Sequence, residues 1–567
     1  MYSEYDILGR RTKLNSNLGA DISYELDKLS NITRIHTPAL SQAEGAEGWE
    51  ARMEYDKLGL EIQRQLTGNV KHESRRDRLG RLRHQVTSDE RERPIHWKEY
   101  QWGIDYRLHQ IIDHTYKDRD VAFDYDDKGY LVRAIYNRKE EQFRTPDKLG
   151  NLYETKDKKD RKYKNSQLQQ DRTYYYHYDV EGNLIFKEHI KDVGYRPVFS
   201  GGELRDLGIN PKSTGKGILY TWNANGSLRS VTDLQGTTYR FRYDAFGRRL
   251  EKRRMSSTFR FVWDGNVLLH ETFKKDNSEH TELTTWVFEG FVPTAKLVNG
   301  KAYSIISDHL GTPILAIDSD GMEVWNRQLD IYGRVKREIK ASSLGDDVRP
   351  FIPFLYQGQY YDFETNLAYN RFRYYSPETG AYISQDPIRL IGGANLYDYV
   401  HDTNTYLDIF GLSSTQLGRN LMKAGDTHGV LVTSENKSTE WQAHHLIPEQ
   451  VWNDNRAFLN EVGMKGKGFG RDSASNGIFL NSSEALGNKN NFLYYHNGSH
   501  STYNTNVGDR IKKIKDEYEK IANDPKKSQL EKAEARQRAK QEIIDYQNEL
   551  RSNIGQRTTG SGCQRLS

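Results

Sequence analysis

The chain has 567 residues, more than one hydrophobic core can organise, so we expect roughly two to four domains. Its mean hydropathy of -0.88 and 29% charged residues lean toward disorder, but 12% aromatic residues argue against it. A single cysteine, Cys563, excludes an intrachain disulfide and any zinc site built from cysteines. The net charge is +4, and nearly all of this surplus lies in the segment 413–567, which mildly favours a polyanionic partner there.

The sequence contains no signal for insertion into a membrane. No apolar run approaches the roughly 18 residues of a membrane-spanning helix, and the start, MYSEYDILGRR, lacks the hydrophobic core of a signal peptide. We therefore expect a chain without a membrane span, which is either cytosolic or lacks an N-terminal part that directs its export.

A short motif recurs through the first 300 residues: Tyr-Asp, then Gly a few residues later, often followed by Arg or Asn and Leu. Clear copies begin at Tyr5, Tyr55, Tyr125, Tyr178 and Tyr243. Each copy predicts a strand, a turn with Asp as its cap and Gly at positive φ, and a returning strand. A single hairpin cannot bury its own face, so the copies are expected to join into one sheet. The alternative, an ordinary antiparallel domain, does not explain the recurring period.

This pattern resembles the YD repeats of Rhs and related polymorphic toxins, whose repeats form a hollow shell around a C-terminal toxin. The resemblance covers residues 1–300 and implies a fragment of such a β-rich shell, in a chain that looks truncated at its N-terminus. It also implies a protein that is secreted or delivered to the cytoplasm of a target cell during competition between bacteria. The insertion KDKKDRKYKNSQLQQDR, residues 156–172, is predicted to be a surface loop.

Residues 301–412 have a different character and resemble the Rhs core region. In that family the core ends in an Asp-Pro-x-Gly-Leu element, after which the chain cuts itself and releases the toxin. The corresponding residues here are Asp408, Gly411 and Leu412, which predicts a cut between Leu412 and Ser413. Ile409 stands where proline is usual, which puts the cleavage in question.

Acid–base help at a peptide bond is chemistry that a pair of carboxylates can supply. Asp386 and Asp408 match aspartates of the family, and Asp398 is a third candidate. The alternative is that these aspartates only cap turns.

The last segment, 413–567, is predicted to form its own domain. The stretch QAHHLIP predicts a strand end and NGIFL a second strand. WNDNRAFLNEVG predicts one helix that ends at Gly463, and two apolar-striped helices form a hairpin over about 507–552, the second capped by Ser528.

Two pairs of histidines lie within this domain, His444 with His445 and His496 with His500. Imidazole is a common ligand of first-row divalent ions, and a catalytic ion keeps three protein ligands and one open position. A fourth imidazole beside such an ion can act as a general base for an attacking water. The alternative is that the histidines are structural or exposed, as most are.

The motifs QAHHLIP, NGIFL and HNGSHSTY together resemble the AHH group of the HNH/endonuclease VII superfamily, a common toxin of Rhs proteins. The resemblance implies an α+β fold of the ββα-metal type and one divalent ion, which would be Mg, Zn, Ni or Mn. It gives His444 as a metal ligand, His445 as the general base, and His496 and His500 as the remaining ligands. Asn476 matches the central Asn of that active site, whose side chain ties the hairpin loop together.

Lys465 and Lys467, in a glycine-rich stretch, are further candidates for contacts to phosphate, with a solvated loop as the alternative. The resemblance implies hydrolysis of phosphodiester bonds, with DNA favoured over RNA as the substrate. Two alternatives stay open: a ribonuclease or tRNase of the same fold, and a non-catalytic β-repeat protein that binds surfaces or carbohydrate. A toxic nuclease also implies a cognate immunity protein, for which an acidic surface is expected.

Overall fold

The computed structural model describes residues 1–39, 46–344, 348–387, 395–412, 441–464, 471, 476–481, 494–495, 501–554 and 564–565. The chain forms two compact units, Met1–Ser413 and Ser414–Ser567. The border between them lies within one residue of the predicted junction at Leu412.

The first unit begins with an antiparallel meander in which each strand pairs with its neighbours in sequence. Within the described residues this first sheet has 13 strands: β1 Tyr2–Tyr5, β2 Arg11–Asn15, β3 Asp21–Leu26, β4 Ile32–Thr37, β5 Trp49–Tyr55, β6 Glu61–Leu66, β7 Val70–Arg76, β8 Leu82–Ser88, β9 Pro94–Trp102, β10 Leu108–Asp113, β11 Val121–Tyr125, β12 Leu131–Tyr136 and β13 Glu140–Phe143. A two-stranded ribbon follows, made of β14 Thr145–Pro146 and β15 Leu152–Tyr153.

A second meander of 16 strands continues the same topology. Its strands are β16 Lys162–Lys164, β17 Gln167–Gln170, β18 Tyr174–Tyr178, β19 Leu184–His189, β20 Gly217–Trp222, β21 Leu228–Thr232, β22 Thr238–Tyr243, β23 Arg249–Arg254, β24 Ser257–Asp264, β25 Val267–Lys275, β26 Thr281–Glu289, β27 Val292–Val298, β28 Lys301–Ser307, β29 Pro313–Ile317, β30 Glu323–Leu329 and β31 Val335–Lys340. Helix α1 (Gly201–Asp206) lies between β19 and β20, and a 3₁₀ turn, Ser342–Leu344, follows β31. The sheet runs through residue 300 without a break, so the predicted domain border there does not coincide with a structural one.

The Asp of each motif closes the turn, as the sequence predicts. In the turn between β5 and β6, Asp56 Oδ1 accepts hydrogen bonds from the backbone N–H groups of Leu58 (2.8 Å) and Leu60 (3.0 Å). Gly59 completes the turn at a φ of +74°, which glycine adopts without the steric cost of a Cβ atom. The motif therefore encodes the turn through local contacts alone.

The Tyr of several motifs fixes the neighbouring strand. The Tyr55 hydroxyl donates to the backbone carbonyl of Ile32, at 2.7 Å, in the strand paired with β5. Tyr125 and Tyr243 make the same kind of contact at 2.7 and 2.8 Å. The abundant tyrosines thus bury their rings and still satisfy their hydroxyl groups, which explains how a chain poor in aliphatic residues forms large sheets.

The two large sheets share a core. The Trp49 indole N–H donates to Ser304 Oγ at 2.9 Å, and Arg11 pairs with Asp264 at 2.6 Å. Apolar residues of β2–β7 pack against those of β25–β29, among them Leu14, Ile22, Ile35, Leu66, Val287, Leu297, Leu315 and Ile317. Contacts that are distant in sequence therefore hold the meander together.

The segment 156–172, predicted as a surface loop, is in part sheet. It contains β16 and β17, the first strands of the second sheet, and Leu168 is buried in the core. Arg161 is buried as well, because its guanidinium donates to the carbonyls of Leu152 (3.0 Å) and Thr379 (2.8 Å). The prediction was wrong because one buried apolar residue is too weak a periodic signal for a strand.

The described residues from 348 to 412 lie across the turns of the preceding hairpins. The Leu131 N–H donates to the carbonyl of His401 at 3.1 Å, and the Leu184 N–H to that of Ile383 at 2.9 Å. This region contains a small sheet of β32 Tyr360–Asp362, β33 Leu367–Asn370, β34 Arg373–Ser376 and β35 Ala381–Tyr382. Asn370 and Arg373 of this small sheet contact the predicted self-cleavage element, residues 408–412.

The second unit is a small α+β domain. Its strands are β36 Trp441–His445, β37 Gly477–Asn481, β38 Tyr494–Tyr495 and β39 Gln564–Arg565, with β36 and β37 antiparallel and the others parallel. Among the described residues of this unit the helices are α2 Glu449–Asp454, α3 Arg456–Glu461, α4 Ser501–Ala522 and α5 Gln529–Ile554. The predicted fold class, a β-rich YD-repeat region followed by an α+β domain with C-terminal helices, is confirmed.

Local signals in this unit were correct with one exception. Ser528 caps α5 through a reciprocal pair of hydrogen bonds with Glu531, at 3.2 and 2.8 Å. Gly463 ends α3 with a φ of +88°, as predicted. The single helix predicted before it is two helices, because the backbone of Asn455, at a φ of −111°, leaves helical geometry. Among the described residues, no helix is long and apolar enough to cross a membrane.

Candidate active sites

The adjacent histidines lie at the end of β36, where His444 is paired with Ile478 and His445 with Gly477. Successive residues of a strand point to opposite faces, and the burial of the two side chains follows this alternation. His444 is only 6% exposed, and its ring packs on that of Tyr503 at a centroid distance of 5.2 Å. His445 is half-buried and lies on the other face. The two imidazoles are therefore in different environments.

Tyr503, in the first turn of α4, holds the backbone that follows the histidines. Its hydroxyl donates to the carbonyl of Leu446 at 2.6 Å, and both residues are buried. Burial raises the pKa of Tyr503 well above its ordinary value, so that the hydroxyl keeps its proton and remains a donor.

Asn476, directly before β37, ties the two strands together. Its Oδ1 accepts the N–H of Ile447 at 2.8 Å, and its Nδ2 donates to the carbonyls of Ile447 (3.1 Å) and Arg471 (2.9 Å). The backbone carbonyl of Asn476 accepts the N–H of Leu446 at 2.9 Å. The Asn476 side chain is fully buried, so it acts on the shape of the hairpin and does not reach solvent.

The remaining predicted residues of this site, His496, His500, Lys465 and Lys467, lie outside the described residues. Helix α4 begins at Ser501, immediately after His500 in the chain. Across the described ranges, no three His, Cys, Asp or Glu side chains come together in a way that could hold a metal ion. The convergence of four histidines on one ion therefore stays a prediction, and His444 is the one proposed ligand whose surroundings are defined.

The carboxylates predicted at the junction do come together. The guanidinium of Arg373 lies 3.0 Å from Asp386 Oδ2 and 3.2 Å from Asp408 Oδ2, and all three side chains are at most 2% exposed. The Tyr382 hydroxyl donates to the same Asp408 oxygen at 2.8 Å. Asp398 lies beside the turn at Gly150 and near the same cluster: burial raises its pKa, and the charges of Arg373 and Asp408 act on it.

The backbone of 408–412 is clamped beside this cluster. Asp408 Oδ1 accepts the N–H of Leu412 at 3.0 Å, and Arg373 Nε donates to the carbonyl of Gly411. Asn370 Nδ2 donates to the carbonyl of Asp408 at 2.8 Å. The carboxylate of Asp408 thus contacts the peptide that precedes the predicted cut, while Ser413 lies outside the described residues.

The environment of Asp408 suits a proton donor. Burial raises the pKa of this carboxyl and the nearby Asp386 adds to the rise, against the opposing charge of Arg373. Gly411 lies at a φ of +64°, and a Cβ atom there would come within 2.3 Å of the Asn370 carbonyl. The site therefore requires glycine at this position for both space and conformation.

Sequence reasoning missed two residues. Arg373 belongs to a stretch rich in Arg and Tyr, and nothing in its spacing marks it as the partner of two aspartates. Gln547, on α5, donates to Asn476 Oδ1 at 3.0 Å from 71 positions away in the chain. A long-range contact of this kind leaves no signal in a single sequence.

Comparison with protein families agrees with both halves of the chain. Residues 25–405 match the model of the Teneurin YD-shell family. Residues 431–543 match the AHH family, described as a nuclease family of the HNH/ENDO VII superfamily with conserved AHH.

Individual relatives point to nucleases with different substrates. The chain is 31% identical over 265 residues, 45% of its length, to "Probable deoxyribonuclease RhsB" of Dickeya dadantii, of which it covers 16%. It is 32% identical over 188 residues, 32% of its length, to "tRNA3(Ser)-specific nuclease WapA" of Bacillus spizizenii, of which it covers 8%. The chain thus spans a small part of each of these proteins.

A solved structure supports the fold of the first unit. The Tc holotoxin pore of Photorhabdus luminescens, with a substituted TccC3 component, matches 73% of this chain and 21% of its own at a TM-score of 0.53 and 17% identity. The repeated Tyr-Asp hairpins, the two joined meanders and the family match over residues 25–405 lead to one conclusion. The chain belongs to the Teneurin YD-shell family and carries, after the shell region, a segment of the AHH nuclease family.

Proposed function

We propose that this chain belongs to an Rhs-type toxin whose AHH domain hydrolyses phosphodiester bonds in DNA. The observation that carries the proposal is the hairpin of β36 and β37, which presents His445 half-exposed at a strand end while Asn476 fixes the loop behind it. A general base needs access to water and a defined position, and this hairpin provides both.

We assign the roles as the resemblance to the AHH group implies. His445 takes a proton from the attacking water, and His444 serves as a ligand. His444, His496 and His500 would hold one divalent ion, and imidazole is a donor that suits such an ion. When bound, the ion supplies positive charge that polarises the scissile phosphate and stabilises the leaving oxygen. Tyr503 holds the His444 ring in place through ring contact at 5.2 Å.

We favour DNA over RNA because the relative named a probable deoxyribonuclease is similar to this chain over 265 residues. The relative named a tRNA-specific nuclease keeps RNA cleavage as the second candidate.

The test uses the full chain on supercoiled plasmid and on total tRNA, with and without a chelator. We expect nicking of plasmid that chelation abolishes and a divalent ion restores. The variant His445→Ala should lose nicking by about 100-fold or more while metal binding persists, because a general base contributes about 10²–10⁴-fold. The control His280→Ala alters an exposed histidine of the shell region and should cut at the normal rate. Cutting by the His445 variant at the normal rate, or cutting of tRNA alone, would refute the proposal.

An active nuclease of this kind requires protection of its own host. We expect a small acidic immunity protein that binds the last domain, and delivery of that domain to the cytoplasm of a competing cell. The active gene should be clonable only together with its neighbour, whereas the His445→Ala gene should be clonable alone. Equal cloning of both genes would contradict this expectation.

A second activity is favoured by a separate observation, the burial of Arg373 and two aspartates beside Leu412. We propose that the chain cuts its own backbone between Leu412 and Ser413. Asp408, whose pKa is raised by burial, is the proton donor of this proposal, and Asp386 activates the attacking water. Intact-mass measurement of the purified chain should show the fragments 1–412 and 413–567. Asp386→Asn and Asp408→Asn should both leave the chain whole, and cleavage in either variant would refute these roles.

A further inference from the structure

Gln547 lies on α5, four residues beyond the end of the segment that matches the AHH family. Its side chain is 2% exposed, and its Nε2 donates to Asn476 Oδ1 at 3.0 Å. This buried amide connects α5 to the loop between β36 and β37. A buried polar contact of this kind needs a functional explanation.

The chemistry of Asn476 fixes the direction of this contact. A backbone N–H can only donate, so the atom that faces Ile447 N at 2.8 Å must be the Asn476 oxygen. The Asn476 nitrogen then donates to the carbonyls of Ile447 and Arg471. The second lone pair of the oxygen remains, and Gln547 must donate to it through its own NH₂ group. All four hydrogen-bonding positions of Asn476 are then filled, and Gln547 provides the last.

We propose that Gln547 is a positioning residue of the nuclease site, which locks Asn476 and through it the backbone two residues after His445. This inference rests on the proposed nuclease function. Without the donor, one lone pair of a buried oxygen is unsatisfied, and Asn476 can turn away from Ile447. The C-terminal extension of the chain is therefore part of the active site's support, although the family match ends at residue 543.

Two variants of the full chain test the contact. Gln547→Leu keeps the approximate size of the side chain and removes the hydrogen-bond donor. Gln547→Glu lacks the donor only while its carboxyl is ionised. Gln541→Leu and Gln541→Glu are the matched controls, because Gln541 is exposed on the same helix and donates to Asp545 at 2.9 Å. Circular dichroism and the melting temperature establish that each variant is folded.

We expect Gln547→Leu to lower kcat for plasmid nicking by about 10- to 100-fold, the usual effect of losing an outer support of an active site, with KM within about threefold. A role in folding alone would lower the folded fraction and leave the kcat of the folded protein unchanged. In Gln547→Glu, a protonated carboxyl donates again, so the activity relative to the unaltered chain should rise as the pH falls. A normal kcat for Gln547→Leu, or a ratio independent of pH, would overturn the proposal.

Hydrogen exchange separates this inference from the nuclease proposal. In a His445→Ala background, which removes activity, the backbone N–H of Ile447 should exchange at least tenfold faster when Gln547 is changed to Leu, and should be unaffected by the Gln541 control. If the chain cuts no nucleic acid but the Ile447 N–H exchanges faster in the Gln547 variant, the nuclease proposal fails and the positioning role of Gln547 is supported. If the chain cuts nucleic acid but the exchange rate of the Ile447 N–H is unchanged, the positioning role of Gln547 is refuted.

Discussion

Arg373 offers the sharpest test of the junction, because one buried cation faces two carboxylates. It is 1% exposed, lies 3.0 Å from Asp386 and 3.2 Å from Asp408, and its guanidinium lies 3.6 Å from the ring centre of Tyr382. Arg373→Met keeps the length of the side chain and most of its packing while removing the charge. Two buried carboxylates then face each other without a cation.

Removal of one partner from a buried ion pair lowers the free energy of unfolding by about 3–5 kcal/mol. A domain has about 5–15 kcal/mol in total, so the loss is a large part of it. The loss depends on pH. Without Arg373, burial and the repulsion from Asp386 raise the pKa of the Asp408 carboxyl further above that of the unfolded chain. A group with a raised pKa stabilises the fold below its unfolded pKa and loses that contribution as the pH rises through its folded pKa. The deficit of Arg373→Met is therefore larger at pH 8 than at pH 5.

Denaturation of the full chain in guanidinium at pH 5 and pH 8 measures the free energy of unfolding. Tryptophan fluorescence follows the first unit, because seven of the nine tryptophans lie there. Arg260→Met is the matched control: the Arg260 side chain is 72% exposed and lies 3.5 Å from Glu251, so its loss should change stability by no more than about 0.5 kcal/mol. A loss below about 1 kcal/mol for Arg373→Met at pH 8, or a deficit that grows on acidification, would refute the role assigned to this cation.

Two further predictions concern single contacts. Tyr503→Phe removes the donor to the buried Leu446 carbonyl and should lower the free energy of unfolding of the second unit by about 1–2 kcal/mol, measured by thermal unfolding; an unchanged melting temperature would contradict it. Gly411→Ala places a Cβ atom 2.3 Å from the Asn370 carbonyl and should slow self-cleavage at least tenfold in a mass-spectrometric time course. Gly290→Ala is its control, since Gly290 has a similar φ of +59° with no atom within 4 Å, and an equal effect of both changes would rule out the steric explanation.

What the sequence predicted correctly depends on short-range physics. The Asp56 turn, the Ser528 cap and the stop at Gly463 each involve residues no more than four positions apart. Such contacts recur with the same letters at the same spacing, so one sequence is enough to recognise them. The repeat then gives the meander, because a hairpin that cannot bury its own face must continue into the next.

What it did not predict depends on contacts between distant segments. Arg373 reaches Asp408 across 35 positions, and Gln547 reaches Asn476 across 71. Leu168 is buried by residues of other hairpins, which no local period reveals.

The two proposed sites share one construction principle. In each, the reacting segment leaves the sheet, and its backbone groups are satisfied by side chains from elsewhere in the same unit: Arg373 and Asn370 for residues 408–412, Asn476 and Tyr503 for residues 446–447. A strand partner would satisfy the same groups but would also cover the segment. Support from side chains fixes both segments without a strand partner, and it leaves the ring of His445 half-exposed. For this reason the residues that do no chemistry should be nearly as sensitive to substitution as the reacting groups.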